Sequence, residues 1–149
     1  MKIIFDEVFR LPAEQLYSYF ETPADWARIF GMSGVTKALE DDWYAVGLKR
    51  FPFPLVARNT HQEANRSVAW TFRGFWRGRG EVHFVTEGDS TWVRGFEEIS
   101  ARPLFFLSPI FEWLLFERTF KTVWNVGWYR LHKMEQSLAE SHAHSKGED

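Results

Sequence analysis

The chain has 149 residues, enough for one domain with a real core, and its formal net charge of -2 supplies neither a strongly basic surface nor an acidic tail. It contains no cysteine, which excludes disulfides, thiolate metal sites and a cysteine nucleophile. Aromatic residues make up 18%, including eight Trp and fifteen Phe, so wide apolar walls must be buried somewhere.

In chain order, "KIIFDEVFR" (2–10) alternates Ile3, Phe5 and Phe9 on one side and predicts a strand. Pro12 and Glu14 suit a helix start, with Leu16, Tyr17 and Phe20 on one face. "TPADW" places Thr22 as N-cap, Pro23 in the first turn and Asp25 near the positive helix end, predicting a second short helix that Gly31 ends. From 34 to 100 the period becomes that of strands: "GVTKALE", "AVGLKRF", "LVARNTHQEA", "SVAWTFRGFW", "RGEVHFVTE" and "STWVRGFEEI". Asp41-Asp42, Asn65-Arg66 and Gly88-Asp89 fit the turns between them. Val68, Trp70 and Phe72 share a face, as do Val82 and Phe84, and as do Trp92, Arg94 and Phe96, which predicts an antiparallel meander with one apolar face. "FPFP" (51–54) lacks two ladder donors and belongs at an edge or a bend, in a loop at the mouth of a cavity.

After residue 100 the period is helical. Ser108 reads as an N-cap and Pro109 as the first-turn residue of a long helix through about residue 139. Trp113, Phe116, Phe120, Trp124, Gly127, Leu131 and Met134 then recur every three or four residues. The apolar run at its start, "RPLFFLSPIFEWLLFERTF" (102–120), is interrupted by Ser108, Glu112, Glu117 and Arg118, so it falls short of the ~20 apolar residues of a membrane span. The N-terminal "MKIIFDEVFR" lacks the apolar core of a signal peptide, which points to the cytoplasm. Residues 1–140 therefore read as one domain, followed by a polar tail over 141–149.

Two stretches carry a resemblance. "VFRLPAEQLYSYFETPADWARIF" (8–30) is similar to the strand, Pro-x-Glu turn and paired short helices that open the START and birch-pollen-allergen-like superfamily, also called SRPBCC. "RGFWRGRGEVHFVTEGDSTWVRGFEEI" (73–99) resembles the paired strands that follow there, and the likeness extends over residues 2 to about 138. It implies an α+β helix-grip fold: a curved antiparallel sheet of about seven strands wrapped around a long C-terminal helix, with two short helices after the first strand. It further implies a cavity between sheet and helix for a small hydrophobic or aromatic molecule such as a lipid or polyketide, bound by a carrier or sensor that needs no cofactor. The expected cavity residues are Trp70, Phe72, Phe84, Trp92, Arg94 and Phe96 from the sheet, and Trp113, Phe116, Phe120, Trp124 and Gly127 from the helix. Gly127 is informative because a glycine inside a helix costs ~1 kcal/mol against alanine and needs a space-making reason. Close packing of the same aromatics is the competing expectation.

The chemistry offers fewer signals. Arg94, sharing a face with Trp92 and Phe96, requires pairing if that face is buried, with Glu98, with a neighbouring strand's acid or with an anionic ligand group; a structural ion pair or a snorkelling head group explains it as well. Arg58 and Arg73 also lie within strands. The five histidines show no metal spacing, and no nucleophile motif is present, so no metal or catalytic residue is assigned. A cyclase or dehydratase using the same cavity is the enzymatic alternative, with His61, Glu63, Tyr17 and Glu98 as unselected acid-base candidates. "RGFWRGRG" (73–80) is a single Arg-Gly motif without a basic footprint, better explained as a strand end, and no nucleic-acid partner is expected. The third alternative is an interaction protein whose Trp43, Phe75 and Trp76 form a homodimer patch.

Overall fold

The computed structural model describes residues 1–31, 36–48, 53–102 and 109–145, except for the side chains of 109–113, 115, 142, 144 and 145. Its order is β1 (Lys2–Phe9), α1 (Ala13–Ser18), α2 (Pro23–Ile29), β2 (Thr36–Ala38), a short 3-10 turn (Glu40–Asp42), β3 (Tyr44–Val46), β4 (Leu55–Glu63), β5 (Ser67–Arg73), β6 (Trp76–Glu87), β7 (Ser90–Ala101) and α3 (Pro109–Ser145). The strands form one seven-stranded sheet in the order β1-β7-β6-β5-β4-β3-β2. Every neighbouring pair is antiparallel, so the chain meanders from β2 to β7 and β1 closes the far side. This is the α+β helix-grip architecture that the resemblance implies.

Local chemistry fixes the joints. Thr22 Oγ1 accepts from the Asp25 backbone N–H and Asp25 returns a bond to the Thr22 N–H, a reciprocal cap that starts α2 with Pro23 in its first turn. Gly31, at φ +66°, ends that helix in the left-handed region. Asp41, Asp42, Asn65 and Gly88 also have positive φ, so the turn positions anticipated from Asx and Gly residues are those that bend the chain. The β6–β7 turn is only Gly88-Asp89, because Glu87 already pairs with Ser90.

The core lies between the sheet's inner face and α3, and it is dominated by rings. Phe5 stacks on Trp124 with centroids 4.5 Å apart, Trp124 on Trp128 at 5.3 Å, and Phe9 on His132 at 4.3 Å. At the other end of the helix Trp76 packs edge-on against Phe116 and Phe120, and Trp76 Nε1 donates to the Phe53 carbonyl. α3 runs for 37 residues, about 55 Å at ~1.5 Å per residue, and its far turns extend past the sheet as exposed helix. Among the described residues no helix is long and apolar enough to cross a membrane. Residues 103–108, with the proposed N-cap Ser108, lie outside the described residues, as do Phe51 and Pro52 of "FPFP".

Candidate functional site

The inner face of the sheet meets α2 and α3 around a single acid. On β7 the side chains alternate so that Thr91, Val93 and Ile99 are buried, and Glu97, in the same phase, is only 6% exposed. Glu97 lies opposite Ile3 on β1 and Gly80 on β6, so a paired strand flanks it on each side, and Trp124 of α3 contacts its carboxyl. Phe20, Trp26, Phe30, Trp70, Val123 and Trp124 enclose it, leaving a residual cavity of about 10 Å³, on the order of one water-sized site.

The electrostatics of this cage are unusual. Trp124 Nε1 donates to Glu97 Oε1 at 3.2 Å, and no described cation pairs with the acid. Burial among apolar rings pushes the Glu97 carboxyl up to about 7, against weaker opposing help from the indole N–H groups of Trp124 and Trp70. Trp70 Nε1 is close enough to favour the charged form, yet it makes no hydrogen bond of normal geometry, and buried Trp26 Nε1 is likewise without a partner. The site thus combines a carboxyl poised to hold or release a proton near neutrality with one indole donor, Trp70, only loosely engaged by it and another, Trp26, without an acceptor.

Glycines shape the cage by admitting rings. A Cβ on Gly80 would lie 2.5 Å from the Trp70 indole, and one on Gly127 would lie 1.9 Å from the Phe30 ring. Gly80 therefore lets Trp70 lie across β6 toward Glu97, while Gly127 makes a notch in α3 that Phe30 fills. Phe30 in turn sits edge-on to Trp124 at 4.5 Å and to Phe20 at 5.9 Å, closing the cavity from the α2 side.

Of the residues expected to line the cavity, Trp70 and Trp124 do so directly, and Phe72, Phe84 and Phe120 are buried in the same core. Phe116 is partly buried against Trp76, toward the other end of the helix. Gly127 has the space-making role expected of it, but a ring of the protein occupies the space. The Trp113 side chain lies outside the described residues. Trp92, Arg94 and Phe96 require correction: they point to the outer face of β7. Arg94 donates through Nε to Asp6 Oδ1 at 2.9 Å and covers Trp92, while Lys2 and Arg79 lie over Phe96. The physical reason is register. The two-residue turn pairs Phe84 with Val93 and Val82 with Gly95, and directly paired residues share a face. Inward Val82 and Phe84 therefore force Val93, Gly95 and Glu97 inward. That count was available from the turn and would have found Glu97.

The other acid-base candidates are dispersed. His61 and Glu63 line an open surface groove with His83 near the β4–β5 turn, Tyr17 packs on Phe84, and Glu98 faces out toward Lys2 and Arg79. Trp43 and Trp76 offer no exposed dimer patch: Trp43 is 8% exposed beneath Arg58 and Arg73, and Trp76 is 1% exposed. No group of three or more ligating side chains suited to a metal exists among the described residues.

Comparison with solved structures decides the fold. The chain superposes on the Zhui aromatase/cyclase from Streptomyces sp. R1128 with a TM-score of 0.73 at 12% identity, covering 91% of this chain and 93% of that one. It has a START-like fold. A START superfamily protein from Mycobacterium smegmatis matches with a TM-score of 0.63 at 12% identity, over 89% of this chain and 98% of the other. The Aha1 protein from Colwellia psychrerythraea, a dimer in solution, matches with a TM-score of 0.54 at 13% identity, over 81% and 93%. No family model and no curated protein matches the sequence. At these identities the START-like architecture is shared and the interior is this chain's own. Its cage of Trp26, Trp70 and Trp124 around Glu97 is therefore read from its own geometry.

Proposed function

We propose that the chain binds a small hydrophobic or aromatic molecule, a lipid, polyketide or similar, between the sheet and the C-terminal helix, as a carrier or sensor. One observation carries this reading: a buried carboxyl that no described cation pairs with shares a ring-lined space with the loosely engaged Trp70 N–H and the unpartnered Trp26 N–H. Buried polar groups are costly unless paired, and a ligand offering an acceptor atom relieves that cost. A ligand whose polar atom reaches Glu97 and whose apolar body replaces protein rings gives them a role. The architecture supports it as well, since the space lies where a helix-grip fold leaves room between its layers.

Entry requires Phe30 to leave the Gly127 notch. Phe30 is held by ring contacts at the end of a seven-residue helix, and a ligand ring in the same notch replaces those contacts in kind. The residues proposed to touch the ligand are Phe20, Phe30, Trp70, Glu97, Trp124 and Gly127. Binding is driven by apolar burial at roughly 25 cal/mol per Å².

A second reading is favoured by Glu97 alone: a cyclase or dehydratase in which this acid, titrating near neutrality, moves a proton on a bound substrate. Turnover separates it from binding. The direct test is native mass spectrometry of the purified protein, identification of any compound released by denaturation, and its titration back by Trp fluorescence. Saturable quenching at one molecule per chain is expected; a bare mass with no response to lipids and aromatics overturns the binding reading.

A further inference from the structure

The polar inventory of the cage is lopsided, and the imbalance names a ligand chemistry. Three indole N–H groups belong to it. One is satisfied by Glu97; that of Trp70, at 3% exposure, reaches toward the same carboxyl without a hydrogen bond of normal geometry, and that of Trp26, at 5%, has no acceptor. The acceptor side is one carboxyl, already engaged at Oε1. Glu97 is also the one ionisable group among the lining residues, since Phe20, Trp26, Phe30, Trp70, Val123 and Trp124 carry none. A space so rich in donors, with so little competing charge, suits an oxygen lone pair. It does not suit an ammonium group, whose hydrogens would oppose the indole N–H dipoles.

We infer that this cage selects planar apolar molecules carrying one acceptor oxygen, a ketone or quinone carbonyl, with the Trp70 N–H and the protonated Glu97 carboxyl donating to that oxygen. The inference rests on the ligand-binding reading and goes beyond it, because ring burial alone is indifferent to the oxygen. The geometry behind it is the Gly80 gap, which aims the Trp70 indole at the strand position opposite Glu97. The raised affinity of Glu97 for its proton, with burial as its main cause, supplies the second donor at and below neutral pH. Because the neutral acid is the donor, binding of such a ketone holds at low pH and weakens as the pH rises through the titration of Glu97.

Three probes of matched size test this: 1-tetralone, its hydrocarbon tetralin, and 1-aminotetralin, which is a cation at the pH values used. Each is titrated by Trp fluorescence into the full chain and into Phe30→Ala, in which the notch is already vacant, at pH 6 and pH 8.5. The ketone is expected to bind at least tenfold more tightly than tetralin at pH 6 and to lose at least fivefold of that affinity at pH 8.5. Glu97→Gln keeps a donor that does not titrate, so it should retain the ketone preference and abolish its pH dependence. Trp70→Phe should cut the ketone's advantage at least threefold while leaving tetralin nearly unchanged. Equal affinity for tetralone and tetralin overturns the inference and leaves the ligand-binding reading standing. Preference for the amine does the same, making Glu97 a cation anchor, and so does a pH dependence that survives Glu97→Gln. Absence of binding by all three probes, in the chain and in Phe30→Ala, overturns the ligand-binding reading and the inference with it.

Discussion

Glu97 and Glu98 are neighbours on one strand with opposite fates. Glu97 points into the ring-lined interior, and burial pushes its carboxyl up to about 7. Glu98 points outward, where hydrogen bonds and charge from Lys2 and Arg79 hold its carboxyl below the usual range. The side-chain period of two alone separates them. Chemistry on this sheet is thus assigned by face, and mistaking the face exchanges a surface ion pair for the buried acid of the interior.

The largest expected effect comes from forcing the inner face to accept volume. Gly95 shares the phase of Glu97, and a Cβ there would lie 2.0 Å from the Glu81 carbonyl and 2.8 Å from the Phe5 ring. Backbone cannot yield as a side-chain tip can, so Gly95→Ala should destabilise by about 3 kcal/mol or more, whereas the outward Arg94→Ala one residue away should not. Equal midpoints in urea denaturation for the two variants would break the distinction between faces.

Gly127→Ala is the next test, on the helix side of the same interior. In an exposed helix this change stabilises by ~1 kcal/mol; here the new methyl meets the Phe30 ring, and a loss of about 1–3 kcal/mol is expected. Phe30→Ala also destabilises, by removing a buried ring. The double variant should lose less than the sum of the two singles, because the methyl then enters space the ring has left. Additive losses would show that the notch and the ring are independent.

Proton linkage sharpens the contrast between the two acids. A rise from 4.5 to about 7 means that the folded chain binds the Glu97 proton more tightly than the unfolded chain. Stability from this group is therefore present below about pH 4.5 and is lost as the pH rises to about 7, a change of roughly 3 kcal/mol. Glu97→Gln should remove that decline, leaving the variant more stable than the parent above pH 8. Glu98 contributes with the opposite sign, its stabilisation lost as the pH falls through its depressed titration. Denaturant midpoints measured across pH 4 to 9 for both Gln variants check the two signs together.

The architecture was legible in the sequence because its determinants are local. The Thr22-Pro23-Asp25 cap, the positive-φ turn residues and the change from a period of two to one near 3.6 are each written in a few adjacent residues. Trp70 and Trp124 were legible as inward-facing residues for the same reason. Glu97 was not, because β7 presents its large rings outward and its glycine and acid inward, the reverse of ordinary patterning. Phe5 and Trp124, distant in sequence, compensate for the missing inward bulk: Phe5 takes the space above Gly95 and Trp124 donates to Glu97. The outward rings are compensated in turn by Lys2, Arg79 and Arg94, which cover them with cations. The closed notch was hidden for a related reason, since Gly127 announces that space is needed without saying whether a ligand or Phe30 takes it.

The smallest expected effect is at Arg94, and its smallness is what makes it informative. Its pair with Asp6 joins side chains that are 47% and 55% exposed, so screening and side-chain entropy leave it worth under about 1 kcal/mol. The contact with Trp92 adds a comparable exposed cation-π term. Arg94→Ala should therefore lower stability by about 1 kcal/mol at most and change the affinity for 1-tetralone by less than twofold. Of the two sequence-level readings of Arg94, the structural ion pair fits the Asp6 contact, whereas the alternative of an anchor for an anionic ligand group requires a large loss of binding with little loss of stability. If Arg94→Ala abolishes binding while Glu97→Gln leaves it untouched in strength and pH dependence, the ligand sits on the outer face, and the assignment of the two faces of β7 is reversed.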